Sequence, residues 1–454
     1  MKIINYSVTL LLILLSNILY SQQILIKDSR IAYAISSVDS DSLKSTILNL
    51  VSIYTRHNLS TQTDNNKGIG AASNFIKKQL DKYAKANSAL SVKEYSYRAG
   101  GSGTRLLREI TLKNIVAEFK GSDLTTDRTI VLLAHYDSRS FDNTDSTTFA
   151  PGANDNGSGV AALMEIARIL SITPQLPVNV KLIFLSGEEH GLLGATYMAS
   201  VAKREGWNIN AVINNDMIGN SRSSGTEISN NTRLRVFSEN IPFSESPQEK
   251  KIREYNSGEN DSDSRQLARY IKEISERYVD NLEITLIYRN DRFGRGGDHT
   301  PFNREGFASV RLCEYFENYD RTHQIPGTRD GKHYGDLIEG VDIEYVKKNT
   351  QANLATLLNL AFAPEKPNSV IIDISKLSSS SQISWKDSNK GKKPFGYYIL
   401  IRETHKSNWE KKIFVKGNSI DIPYSKDNYF FAIQSVSEEG NESIPQFATG
   451  GSPR

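Results

Sequence analysis

From residue 129 onward the apolar positions alternate between two rhythms. Residues 129–134 (TIVLLA) form an unbroken apolar run of the kind found in strands buried on both faces. Over 157–170, Val160, Leu163, Ala167 and Leu170 recur at helical spacing. Residues 178–185 (VNVKLIFL) read as strand again, 192–205 as helix and 209–213 as strand. Strand, helix, strand, helix, strand predicts an α/β fold, with a mostly parallel central sheet covered by helices on both faces. A helix over 264–278, strands over 283–288 and 309–313, and a closing helix over 343–361 complete it. Between them, residues 221–264 are polar and rich in Ser, Asn and Glu, which predicts an inserted surface loop.

Pro364 and Pro367 mark a linker, and the rhythm then changes to short β-rich runs: VIIDIS, QISWKD, GYYILIRET, KIFVKG, SIDIP and NYFFAIQSVS. Turn residues separate them at regular intervals, which predicts a small antiparallel sandwich over 364–454. The placement of Trp385, Tyr398 and Tyr429 resembles a fibronectin type III module, and no catalytic constellation lies in it. At the other end, residues 1–21 place one lysine before a short apolar run and then small polar residues, the layout of a secretory signal peptide. Ser16 and Asn17 interrupt the run, which is shorter than the roughly 20 residues a spanning helix needs. The expected organisation is therefore a leader over 1–21, a catalytic domain over 22–363 and the sandwich after it. The mature chain is expected to be secreted or periplasmic, with no membrane anchor.

Composition narrows the chemistry. Of 454 residues, 55 are Lys or Arg and 52 are Asp or Glu, a net charge of +3 that is too balanced for a nucleic-acid binder recruited by bulk charge. With one cysteine, Cys313, the chain can form neither an internal disulfide nor a thiolate zinc cluster. Any metal must be held by carboxylates and by some of seven histidines.

Four clusters follow the predicted strands. AHYDS places His135 and Asp137 just past the first, and PGANDNGSG sets Asp155 before a glycine-rich helix entry. FLSGEEHGLLG puts Glu188 beside Glu189, and INNDMIG ends the third strand with Asp216. Singly these admit plain readings: a surface histidine, a helix cap, a solvated acidic pair. Their order, each at the same end of successive parallel strands, is where such sheets bind ligands. Adjacent carboxylates in a dry cleft repel unless a cation sits nearby. Carboxylates mixed with imidazole and no thiol suit zinc, or less commonly manganese or cobalt.

Taken together, HYDS, GANDNGSG, SGEEHGLLGA, NNDMIG and GDHTPF resemble family twenty-eight of the metallopeptidases, zinc exopeptidases that include bacterial leucyl aminopeptidase. The likeness runs from about Arg56 to about Ala361. It implies two zinc ions per chain: His135 and Asp216 on one, Glu189 and a downstream histidine on the other, Asp155 bridging both. It implies Glu188 as general base, Asp137 as the carboxylate orienting His135, and a cis peptide after Asp155. In ENYDRTHQIPGTRDGKHYGDL both His323 and His333 can supply the last ligand. His323 follows the family's landmarks at Glu314 and Tyr319, whereas His333, with Asp336 nearby, requires a longer loop. His299 reads as supporting a ligand or facing substrate, His190 as cleft wall, and His57 and His405 as structural or exposed.

The resemblance implies peptide substrates, and an aminopeptidase first, since a free α-amine can ligate one zinc. A carboxypeptidase or dipeptidase is the alternative, with Arg292 and Arg295 placed to clamp a substrate carboxylate. Glutaminyl cyclase, an acyltransferase, is the alternative of another class; it shares the HYDS, GEE and DHxPF-like motifs but lacks the ANDNGSG run.

Overall fold

All seven residues of the strand Thr129–His135 are buried, as are six of the seven in Asn179–Leu185, so these strands form the floor of a sheet covered on both sides. The computed structural model describes residues 26–451, and the leader expected over 1–21 lies outside them. The chain divides into two compact units: Ser29–Phe362, and Ala363–Gly451 together with 26–28.

The first unit runs α1 (Ser29–Ser36), α2 (Ser40–Ser52), α3 (Gly68–Ala84), β1 (Leu90–Ala99), β2 (Ile110–Phe119), β3 (Thr129–His135), α4 (Gly157–Ile172), β4 (Asn179–Leu185), α5 (Leu193–Arg204) and β5 (Ile209–Asn215). It continues with β6 (Arg233–Ser238), α6 (Pro247–Tyr255), α7 (Asp263–Tyr278), β7 (Glu283–Ile287), α8 (His299–Arg304), β8 (Ser309–Glu314), the short pair β9 (Gly327–Arg329) and β10 (Lys332–Tyr334), and α9 (Ile343–Phe362). The eight-stranded sheet has the order β1-β2-β4-β3-β5-β8-β6-β7. Its centre, β4-β3-β5-β8, is parallel, and β6 pairs parallel with β7. β1, β2 and the β6–β8 seam are antiparallel. One face packs Val131, Leu133, Ile183, Leu185 and Val212 against Ala195, Met198, Ala199 and Ala202 of α5. No described helix is long and apolar enough to cross a membrane.

The stretch 221–264 is not one surface loop. Residues 233–238 (RLRVFS) form β6, which enters the sheet between β8 and β7 with Leu234 and Val236 fully buried. The alternation with Arg233 and Arg235 is a strand pattern inside a polar stretch. Residues 247–255 form α6, which buries nothing; Ser246 and Glu249 make a capping box, and Pro247 opens the helix. Also unpredicted are the helices α1, α2, α3 and α8, the strands β1 and β2, which precede the first predicted strand, and the short pair β9 and β10.

The second unit contains β11 (Asn368–Ile372), β12 (Ser381–Lys386), β13 (Gly396–Glu403), β14 (Lys411–Val415), β15 (Ser419–Ile422), β16 (Tyr429–Val436) and β17 (Gln446–Phe447). They form a three-stranded sheet, β11-β12-β15, and a four-stranded one, β14-β13-β16-β17, with antiparallel pairing throughout. Ile383, Trp385, Tyr397, Ile399, Phe431 and Ile433 make its core, and the Trp385 and Tyr397 rings meet edge to face at 5.2 Å.

Candidate metal centre

The parallel strands β3, β4 and β5 deliver their chemistry at one edge of the sheet. His135 is the last residue of β3, and Asp216 directly follows β5. Glu188 and Glu189 follow β4 after Gly187, whose φ of +82° turns the chain so that neighbouring carboxylates need not point to opposite faces as in a flat strand. Asp155 precedes the α4 N-cap Asn156, and the peptide between them is cis. His323 arrives from the loop after β8.

These six side chains converge. His135 Nε2 lies 3.3 Å from Asp155 Oδ1 and 3.7 Å from Asp216 Oδ1, while His323 Nε2 lies 3.0 Å from Asp155 Oδ2 and 2.9 Å from Glu189 Oε1. Asp155 thus turns one oxygen to each histidine. Two sets of potential ligand atoms result, His135–Glu188–Asp216 and Asp155–Glu189–His323, each with its atoms within 4.8 Å of one another. His135 Nε2 is buried with no hydrogen-bond partner, as expected of an imidazole nitrogen that faces a cation. Imidazole with hard carboxylates and no thiol is a donor set that fits zinc.

The electrostatics agree. Burial opposes a charge on His135, yet Glu188, Asp137, Asp155 and Asp216 hold its imidazole well above the usual histidine range. His323 is likewise raised to about 10 against its own burial by Glu189 and Asp155. Burial lifts Glu188 well above the usual carboxylate range, and the charges of Asp216 and Glu189 add to this. Asp298, fully buried with neither oxygen hydrogen-bonded among the described residues, is lifted to about 8 by burial and by Asp216 and Asp137. So many carboxylates in one dry cleft make a strong demand for positive charge.

A second layer fixes these groups. Asp137 Oδ1 lies 3.5 Å from His135 Nδ1, and its carboxylate accepts the backbone N–H of Glu188 and Glu189 and the side-chain amide of Asn58. Asp336 accepts the N–H of Asn154 at 2.8 Å and of Asp155 at 2.7 Å, clamping the loop that presents the shared aspartate. Each outer carboxylate also meets an arginine: Asp216 Oδ2 meets Arg311 Nη2 at 3.2 Å, and Glu189 Oε2 meets Arg139 Nε at 2.9 Å. From Arg311 the charges continue in alternation through Asp291, Arg292 and Glu317 to Arg235.

That row withdraws Arg292 from carboxylate clamping, because Asp291 and Glu317 already hold its guanidinium. Arg295 is exposed on the loop before Asp298. His333 lies on the exposed strand β10, bonded to Thr328, and joins neither set. His299 is buried with Nε2 on the Asn290 carbonyl, and His57 and His190 both point Nε2 at the Asn143 carbonyl. Arg311, Arg139 and Asn58 had no role in the sequence reading, and Asp336 figured there only as a neighbour of His333; their partners lie far off in the chain.

The profile of Peptidase family M28 matches residues 114–336. A probable zinc metalloprotease of Leptosphaeria maculans is 37% identical over 418 residues, covering 92% of this chain and 96% of that protein. One from Pyricularia oryzae is 37% identical over 423 residues, covering 92% and 84%. Among solved structures, Legionella pneumophila LapA superposes with a TM-score of 0.53 at 18% identity, covering 75% of this chain and 78% of that one. An aminopeptidase from Aneurinibacillus sp. strain AM-1 gives 0.50 at 13% identity, covering 73% and 95%. These two structures share the fold.

Proposed function

This chain belongs to peptidase family M28 as a zinc metallopeptidase, and from that premise we propose that it is an exported aminopeptidase that works with two zinc ions. The observation that carries the reading is Asp155, whose two oxygens face two separate ligand sets. In this reading His135 and Asp216 hold one ion, Glu189 and His323 hold the other, and Asp155 lies between them. When bound, the zinc pair supplies Lewis-acid polarisation of the scissile carbonyl and a water acidified toward neutrality.

The chain's own groups do the rest. Glu188 is half-buried beside the buried ligands, at the open side of the site, so it can reach an incoming water. Its carboxylate takes the water's proton and then hands it to the leaving amine. Asp137 holds His135 in orientation and, through the Glu188 and Glu189 amides, holds the turn that aims both glutamates. A free α-amine would take a ligand position on one zinc, which supports cleavage from the N-terminus.

The test is incubation of the zinc-loaded mature chain with peptides that pair free against acetylated N-termini, and free against amidated C-termini, read by mass spectrometry. Stepwise loss from free N-termini alone is the expected result. Cleavage that survives acetylation and requires a free C-terminus makes it a carboxypeptidase, and ammonia loss from N-terminal glutamine without chain cleavage makes it a cyclase.

A further inference from the structure

The ligand groups differ in how far solvent reaches them. His135, Asp137, Asp155, Glu189 and Asp216 are buried, whereas Glu188, His323 and Arg139 are only half-buried. Solvent therefore reaches those three side chains more than the other five. Glu188 and His323 have roles at the reacting centre. Arg139 has none yet, and 22% of its side chain is exposed against 5% for its partner Glu189.

Its pose is fixed. Nε donates to Glu189 Oε2 at 2.9 Å, and Nη1 donates to the Ser140 and Phe141 carbonyls at 3.2 and 3.3 Å. Nη2 has no hydrogen-bond partner among the described residues. The loop that carries Arg139 is tied down further on, where the Asn143 carbonyl receives His57 and His190. A guanidinium held on two of its three nitrogens, with the third open at the mouth of a site, is preorganised to receive an anion.

We propose that Arg139 binds the α-carboxylate of the substrate residue just beyond the scissile bond, so that the site favours dipeptides. The inference rests on the aminopeptidase reading and adds the other end of the substrate to it. In a dipeptide the free carboxylate lies about one residue, roughly 3.8 Å, beyond the scissile carbonyl. Arg139 Nε lies 2.9 Å from Glu189 Oε2, which sets the guanidinium directly beside one of the converging carboxylates. The two ends of a zwitterionic dipeptide then find opposite charges: the ammonium among the carboxylates, the carboxylate on Arg139. Two other arginines near the motifs are already occupied, Arg292 by Asp291 and Glu317 and Arg311 by Asp216 and Asp291.

The test compares leucyl-leucine with leucyl-leucinamide on the zinc-loaded mature chain, as a ratio of kcat/KM. The intact protein should prefer the free carboxylate by about tenfold or more, the worth of one charged hydrogen bond. Arg139→Gln should bring the ratio close to one with two zinc ions still bound, and Arg139→Lys should give a value between. A ratio near one in the intact protein, or an unchanged ratio in Arg139→Gln, overturns the proposal. So does a ratio that falls only together with zinc, since Arg139 would then act by positioning Glu189. If the intact protein cleaves neither compound, the aminopeptidase reading fails separately, and calorimetry with D-leucyl-D-leucine and its amide decides the carboxylate site. Tighter binding of the free acid that Arg139→Gln abolishes supports it, and equal binding overturns it.

Discussion

Arg311, fully buried on β8, places Nη2 3.2 Å from Asp216 Oδ2 and so leaves Oδ1 as the oxygen that faces His135. Removing the guanidinium leaves the buried Asp216 without its arginine and Asp291 with Arg292 alone. Arg311→Met is expected to lower stability by about 3–5 kcal/mol. It should also weaken one zinc site by about 10–100-fold, as loss of a partner that orients a ligand does. Arg311→Lys, which keeps the charge and loses the fork, should fall between. Denaturant unfolding of the metal-free chain and a zinc titration separate the two effects.

Glu188→Gln should cut turnover by about 10²–10⁴-fold while two zinc ions remain bound. Asp155→Ala should lose both ions, because each ligand set faces one of its oxygens. Metal analysis after dialysis reads both variants. A drop to one zinc in Glu188→Gln would make Glu188 a ligand in the set it shares with His135 and Asp216.

His323 and His333 make opposite predictions. His323→Ala should lose the zinc shared with Glu189, and with it peptide cleavage. His333→Ala should change neither, since that imidazole is exposed and bonded only to Thr328.

A different carboxyl sets a pH dependence of stability. Glu239, just past β6 and 4% exposed, is pushed up to about 7 by burial, against hydrogen bonds from Ser264, Asn303 and the Phe243 amide. Unfolding restores its usual 4.5. The folded chain thus binds the extra proton between the two values. Its contribution is fully present below pH 4.5 and is lost as pH rises to about 7, a change of about 3 kcal/mol. Glu239→Gln should remove this slope, so the thermal midpoints of the two proteins should diverge steadily from pH 4.5 to 7.

The parts of the site legible in the sequence were those written locally. His135, Glu188, Glu189 and Asp216 each stand within a few residues of an apolar run, and runs of that kind announce buried strands. The parts not legible were those assembled by sheet order. Arg311 meets Asp216 because β8 lies beside β5, 95 residues away in sequence. Asp336 reaches the Asp155 amide across 181 residues, and Arg139 reaches Glu189 across 50. Strand β6 was hidden by its own composition, since Arg233 and Arg235 alternate with its buried Leu234 and Val236 and dilute the apolar signal. Strand β1 lies at the sheet's edge and buries only Leu90 and Tyr97, so it carries no continuous run either.

The row from Asp216 through Arg311, Asp291, Arg292 and Glu317 to Arg235 also bears on how this protein can change over generations. Every member balances its neighbours, so a single charge lost in the middle leaves each of the two beside it with one opposite charge where it had two. The affordable exchanges are paired ones, or replacement of a whole stretch by apolar side chains of matching volume. Descendants of this chain should therefore keep the row intact or alter it in concert, and the identity of Asp216, just past β5, is tied by inheritance to Arg235 on β6, across β8.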